Sequence, residues 1–138
     1  MSRPVPEGMA GVRAGASAER LVRVERSDTA ERVGSGDVPV LATPRLLAFV
    51  EEACVACVAG MLSDELTTVG TRVELDHRAP SAVGTLVTIR VRLEAVDGRR
   101  LAFSFEAVQG DGTVVAAGEH HRVAVDREAF LTHLTDDG

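Results

Sequence analysis

The run Leu46-Leu47-Ala48-Phe49-Val50-Glu51-Glu52-Ala53-Cys54-Val55-Ala56-Cys57-Val58-Ala59-Gly60-Met61-Leu62 decides the fold. Seventeen residues carry only two charges, Glu51 and Glu52. A helix apolar on nearly every side needs other structure around it. A carboxylate buried there costs several kcal/mol unless it finds partners. The run therefore predicts a central helix wrapped by a sheet, with a candidate reactive group on it. Thr43-Pro44 marks the start, because Thr caps free N–H groups and Pro is tolerated at the first helical position. Ser63-Asp64 marks the end.

Outward from the helix, the chain alternates. Ala18 to Arg26 reads as a strand, and Ser27 to Asp37 as a polar loop. After the helix, four strands follow. In the first, Val69, Thr71, Val73, Leu75 and His77 share a face predicted to meet the helix. In the second, Val87, Ile89, Val91, Leu93 and Ala95 do so. In the third, Leu101, Phe103, Phe105 and Ala107 do so. Asp97-Gly98 and Gly110-Asp111-Gly112 read as turns. The fourth strand, Thr113 to Val125, leads to a short helix capped by Asp126. One strand, one buried helix and a four-strand antiparallel meander is the α+β order of a hot-dog fold, a sheet wrapped around one long helix. Residues 1–17, rich in Pro, Gly and Ala, are expected to form a mobile tail, and 18–138 a single domain.

Composition narrows the function. The 138 residues suit one core, and a net charge of −6 argues against nucleic-acid binding. All fifteen basic residues are Arg, which excludes lysine Schiff-base chemistry. No stretch reads as a membrane span or a signal core, so a cytoplasmic protein is expected. Cys54 and Cys57 lie one turn apart in the apolar run and read as small core residues. No metal or redox cofactor is expected.

The candidate chemistry is acid–base. His77 projects from the inner strand face towards an element bearing Glu51 and Glu52, and His beside a buried carboxylate is a standard proton-transfer pair. Helical periodicity does not choose between the two glutamates. Thr43 reads first as an N-cap. Eight residues separate it from Glu51, about 12 Å along a helix. Sharing one site would therefore require two subunits. In Glu119-His120-His121-Arg122 the alternation splits the side chains between faces, which argues against a metal site and leaves Arg122 as an anion contact on a solvated strand. Unpaired strand edges argue for a homodimer, with a tetramer left open.

Thr43, Glu51, Val69-Gly70-Thr71, His77 and Gly118-Glu119-His120-His121-Arg122 together resemble the fluoroacetyl-CoA thioesterase family of hot-dog proteins, over about Val38 to Leu134. The resemblance implies hydrolysis of an acyl-CoA to an acid and free CoA. It implies a catalytic trio of Thr43, Glu51 and His77, so it favours Glu51 over Glu52. It further implies Gly70 at the acyl pocket and Arg122 near the substrate. That family carries an aromatic lid before the helix; Ser27 to Val38 is shorter and holds no aromatic residue. The alternative to an enzyme is a non-catalytic acyl-CoA-binding dimer, and a hydratase ranks last. By charge alone, Arg78, Arg99 and Arg100 are candidate contacts for CoA phosphates.

Overall fold

The computed structural model describes residues 3–137, with side chains as far as Thr135. Met1, Ser2 and Gly138 lie outside the described residues. The strands are β1 (Ser17–Arg23), β2 (Leu66–His77), β3 (Leu86–Asp97), β4 (Arg100–Gln109) and β5 (Val114–Asp126). The helices are α1 (Ala30–Val33), α2 (Thr43–Val58) and α3 (Arg127–Asp137), with 3-10 turns at Arg26–Asp28 and Ala59–Met61. The strands form one sheet in the order β1-β3-β4-β5-β2, every pair antiparallel.

α2 lies across the inner face of this sheet. Leu46, Phe49, Val50, Ala53, Cys54, Cys57 and Val58 form its buried stripe. They meet Val87, Ile89, Val91 and Leu93 of β3 and Leu101, Phe103, Phe105 and Ala107 of β4, all buried. Fully burying such a side chain contributes about 1.5–3 kcal/mol, so this interface dominates the stability of the domain. The opposite side of α2 is not wrapped within one chain: Glu52, Val55, Ala56 and Ala59 are exposed. The expectation of a helix enclosed on every side thus holds for only one face.

Two bulges break the strict alternation read from sequence. A register shift between Gly70 and Arg72 leaves Thr71 unpaired, so Thr68 and Gly70 share the inward face with Val73, Leu75 and His77. Alternation predicts Val69 and Thr71 on that face; both lie off it. A second shift, between Leu93 and Ala95, turns Ala95 out into solvent.

Residues 3–16, expected as a mobile tail, pack against the body. Met9 and Val12 belong to the core, Ser63 N–H donates to Gly8 O, and Gly15 N–H donates to Leu93 O. The segment read as loop contains α1 and a buried Asp28. The Asp28 carboxylate accepts from Glu25 N–H and from Arg45 Nε. Arg45 in turn stacks 4.8 Å over the Phe49 ring, fastening the loop to the first turns of α2. The terminal helix is capped by Asp126, which accepts from Ala129 N–H.

Candidate functional site

The site begins at the N-terminus of α2. Ala42, not Thr43, occupies the cap position, and no side chain caps the helix. Thr43 is the first helical residue and its hydroxyl is free for another partner. It lies 2.7 Å from His77 Nδ1. The cap reading of Thr43 is therefore corrected: the helix starts with Pro44 in its first turn and no side-chain cap, and the hydroxyl serves the imidazole. His77 ends β2, and its Nε2 makes no hydrogen bond among the described residues. Burial holds its pKa below the ordinary imidazole range, because the charged form loses hydration. A cleft of about 260 Å³, lined in part by Leu41, Ala42, Arg78 and Ala79, opens beside the pair. Arg78 thus stands at this mouth, while Arg99 is exposed and Arg100 borders a groove that does not include Thr43, His77 or Glu51.

A second group sits further along α2. Arg122 Nη1 donates to Glu51 Oε2 at 3.0 Å and to His120 Nε2 at 3.0 Å. Arg122 Nε and Nη2 donate to the hydroxyl and carbonyl of Thr68 at 2.9 and 3.0 Å. His120 Nδ1 lies 2.9 Å from Arg72 O. A carbonyl only accepts, so Nδ1 carries the proton and Nε2 is the acceptor for Arg122. Burial also lowers the His120 pKa, which keeps this ring neutral beside the guanidinium. All three guanidinium nitrogens of this buried cation are hydrogen-bonded in this way, as such a charge requires. The carboxylate is pinned on one oxygen while the Glu51 side chain stays 40% exposed.

Glu52 is a surface residue, paired with Arg20 at 3.1 Å. Glu51 instead meets Arg122, a difference between the two glutamates that periodicity alone did not give. Cys54 and Cys57 are buried free thiols, and burial pushes Cys54 up to about 12, so neither serves as a nucleophile.

Gly70 opposes Arg122 across the β2–β5 ladder. A Cβ there would stand 2.9 Å from Glu51 Oε2 and 3.1 Å from His120 Cε1. Gly70→Ala is expected to push the carboxylate off Arg122 and lower kcat/KM about 100-fold, because misplacement of about 1 Å costs that much. A kcat/KM within threefold of the parent would contradict the tight packing.

The structure brings Thr43 and His77 together, and Glu51, Gly70 and Arg122 together. It does not bring the two groups to each other within one chain. Six residues of β2 lie between Gly70 and His77, and with one of them taken up by the bulge the span is about 20 Å at the rise of a strand. Within one chain Thr43 contacts His77. Thr68 was not named from sequence, and His120, named within the Glu119–Arg122 cluster, was given no role. His120 shares alternation with Arg122, but the solvated-strand reading hid both. In fact His120 is 2% and Arg122 6% exposed.

Sheet and helix together make a hot-dog fold, and solved structures of that kind match it closely. A hot-dog-like protein from Thermanaerovibrio acidaminovorans matches with a TM-score of 0.83 at 25% identity, covering 90% of this chain and 91% of that one. A variant of a fluoroacetyl-CoA-specific thioesterase, solved with fluoroacetate and CoA, matches with a TM-score of 0.81 at 26% identity over 86% of this chain and 99% of that one. The fluoroacetyl-CoA thioesterase of Streptantibioticus cattleyicolor is 32% identical over 91 residues, 66% of this chain. The matched chain spans about 65% of that relative's length. The family model described as fluoroacetyl-CoA-specific thioesterase matches residues 24–128. This chain belongs to that family. No helix of the described residues is long and apolar enough to cross a membrane.

Proposed function

We propose that this protein is an acyl-CoA thioesterase, hydrolysing a CoA thioester to a carboxylic acid and free CoA at a site built by two copies of the chain. One observation carries the reading: two well-partnered half-sites stand at opposite ends of β2, a strand whose other edge is unpaired. Antiparallel pairing of that edge with a second copy, centred at Glu74 because the bulge takes up one residue, sets His77 of one copy opposite Gly70 of the other. Glu51 of each subunit then faces Thr43 and His77 of its mate. Two unpaired edges are also removed. The family membership and the relative solved with fluoroacetate and CoA support a CoA thioester as substrate.

In this site Glu51 adds to the thioester carbonyl, forming a mixed anhydride as the carbon–sulfur bond breaks and CoA thiolate leaves. Gly70, having no side chain, leaves the Glu51 carboxylate its place beside Arg122. Arg122 holds the carboxylate in line and offers positive charge to the developing oxyanion. The Thr43 hydroxyl, 2.7 Å from Nδ1 of His77, orients the ring, and the neutral imidazole takes a proton from water. That water opens the anhydride, restoring Glu51 and releasing the acid, and His77 passes the proton to the thiolate. No metal enters the scheme.

The test is thiol release from a panel of acyl-CoAs, read against pH. Release of free CoA is expected. Because the base is neutral His77 with a lowered pKa, kcat/KM should be flat above neutrality and fall on the acid side with a midpoint below about 6.5. The stability effect has the same sense. Unfolding restores the ordinary pKa, so between the two values the unfolded chain binds more protons and Tm rises with pH. Absence of thiol release with every acyl-CoA would leave a binding protein in place of an enzyme.

A further inference from the structure

One cleft is untouched by the mechanism. It lies between the C-terminal half of α2 and the start of β2, with a volume of about 200 Å³. Val55, Ala59 and Leu62 line its helix side, and Thr67 and Thr68 its strand side. Val58 and Leu66 form a buried apolar floor.

We infer that this cleft holds the acyl tail, and that the substrate class is a straight, uncharged acyl chain of short to medium length. The inference rests on the hydrolase reading and narrows it. Three observations carry it. First, the cleft adjoins the Glu51–Arg122 group, because Thr68 both lines it and holds Arg122 through its hydroxyl and carbonyl. Second, Val55 stands one turn beyond Glu51 on α2, and Ala59 and Leu62 follow in the 3-10 turn and at its exit. A chain starting at Glu51 thus runs down apolar surface, on which Val55 is 44% exposed. Third, the far end is polar. Ser63, Asp64 and Arg127 stand there, and the opposite charges of the last two disfavour a charged tail of either sign. The cleft has room for roughly six water-sized groups at about 30 Å³ each, which matches a chain of about that many carbons.

Each methylene buried is worth about fourfold in affinity, less in a half-open cleft. The unmodified protein is therefore expected to show kcat/KM rising at least tenfold from acetyl-CoA to hexanoyl-CoA, levelling by decanoyl-CoA, with glutaryl-CoA below hexanoyl-CoA. Ala59→Phe should lower the hexanoyl-to-acetyl ratio at least tenfold by filling the middle of the cleft. Val55→Phe, nearer the carboxylate, should lower the butanoyl-to-acetyl ratio as well. Both positions are exposed in the chain, so the larger side chain is compatible with folding. A flat profile, a preference for glutaryl-CoA, or ratios unchanged by both substitutions would overturn the cleft assignment while leaving the hydrolase reading intact. No thiol release from any chain length would overturn the hydrolase reading itself, and the cleft with it.

Discussion

Glu51→Gln should lower kcat about 1,000-fold or more while leaving the fold in place. The reasoning separates structure from chemistry. The amide oxygen of glutamine still accepts the Arg122 Nη1–H that the carboxylate accepts at 3.0 Å. The side chain keeps its length, so the space beside Gly70 stays filled as before. Stability should fall by about 3 kcal/mol, because buried Arg122 keeps the hydrogen bond but loses its counter-charge. What the amide lacks is a nucleophilic oxygen. Glu52→Gln is the internal control: that carboxylate meets Arg20 at an exposed surface pair, worth about 0–1 kcal/mol at most, and its loss should leave kcat within twofold. Steady-state thiol release on the three proteins distinguishes the outcomes. Equal losses at 51 and 52 would mean that neither residue acts chemically.

Gly118→Ala should produce the largest loss of stability of any methyl addition in the sheet. Gly118 stands in β5 between Leu75 of β2 and Phe105 of β4. A Cβ there would fall 1.9 Å from Glu74 O and 2.9 Å from Phe105 Cζ. The first neighbour is backbone in a hydrogen-bonded ladder and the second a buried ring, so neither can swing aside. Ordinarily glycine in a strand interior is destabilising by about 0.5–1 kcal/mol relative to alanine. Here the overlap reverses the sign, and a loss of about 3 kcal/mol or more is expected. That corresponds to a fall in Tm of about 10 °C for a domain of this size. Because Leu75 and His77 lie on the displaced stretch of β2, activity should fall with it. A thermal melt within 2 °C of the parent would contradict the close approach of β2 and β5.

The architecture was legible because period-2 alternation in β3 and β4 and the apolar run in α2 are strong, local signals. Val87 to Leu93 and Leu101 to Ala107 face the helix as their pattern requires. The failures have local causes of another kind. A bulge shifts the period by one residue, so Val69, Thr71 and Ala95 could not be placed by counting. Met9 and Val12 enter the core from a segment whose Pro, Gly and Ala content carries no period at all. Thr43 shows the limit of positional rules: Thr before Pro is a good cap signal, yet tertiary contact with His77 took the hydroxyl. The choice of Glu51 came from resemblance, and the ion pair with Arg122 now gives it a physical reason. His120 was read as part of a solvated strand because alternation places it beside Arg122 without saying that the face is buried.

The central claim is that catalysis joins Thr43 and His77 of one subunit to Glu51 of another. Mixing inactive Glu51→Gln with inactive His77→Ala, unfolding and refolding them together, tests it most directly. In a mixed dimer the subunit carrying Glu51→Gln supplies an intact His77 to the other subunit's intact Glu51, which rebuilds one site in two. About a quarter of the parental thiol release is expected from a statistical one-to-one mixture. A mixture as inactive as either variant alone, with mixed dimers present by mass, would place the working groups within a single chain and contradict the account.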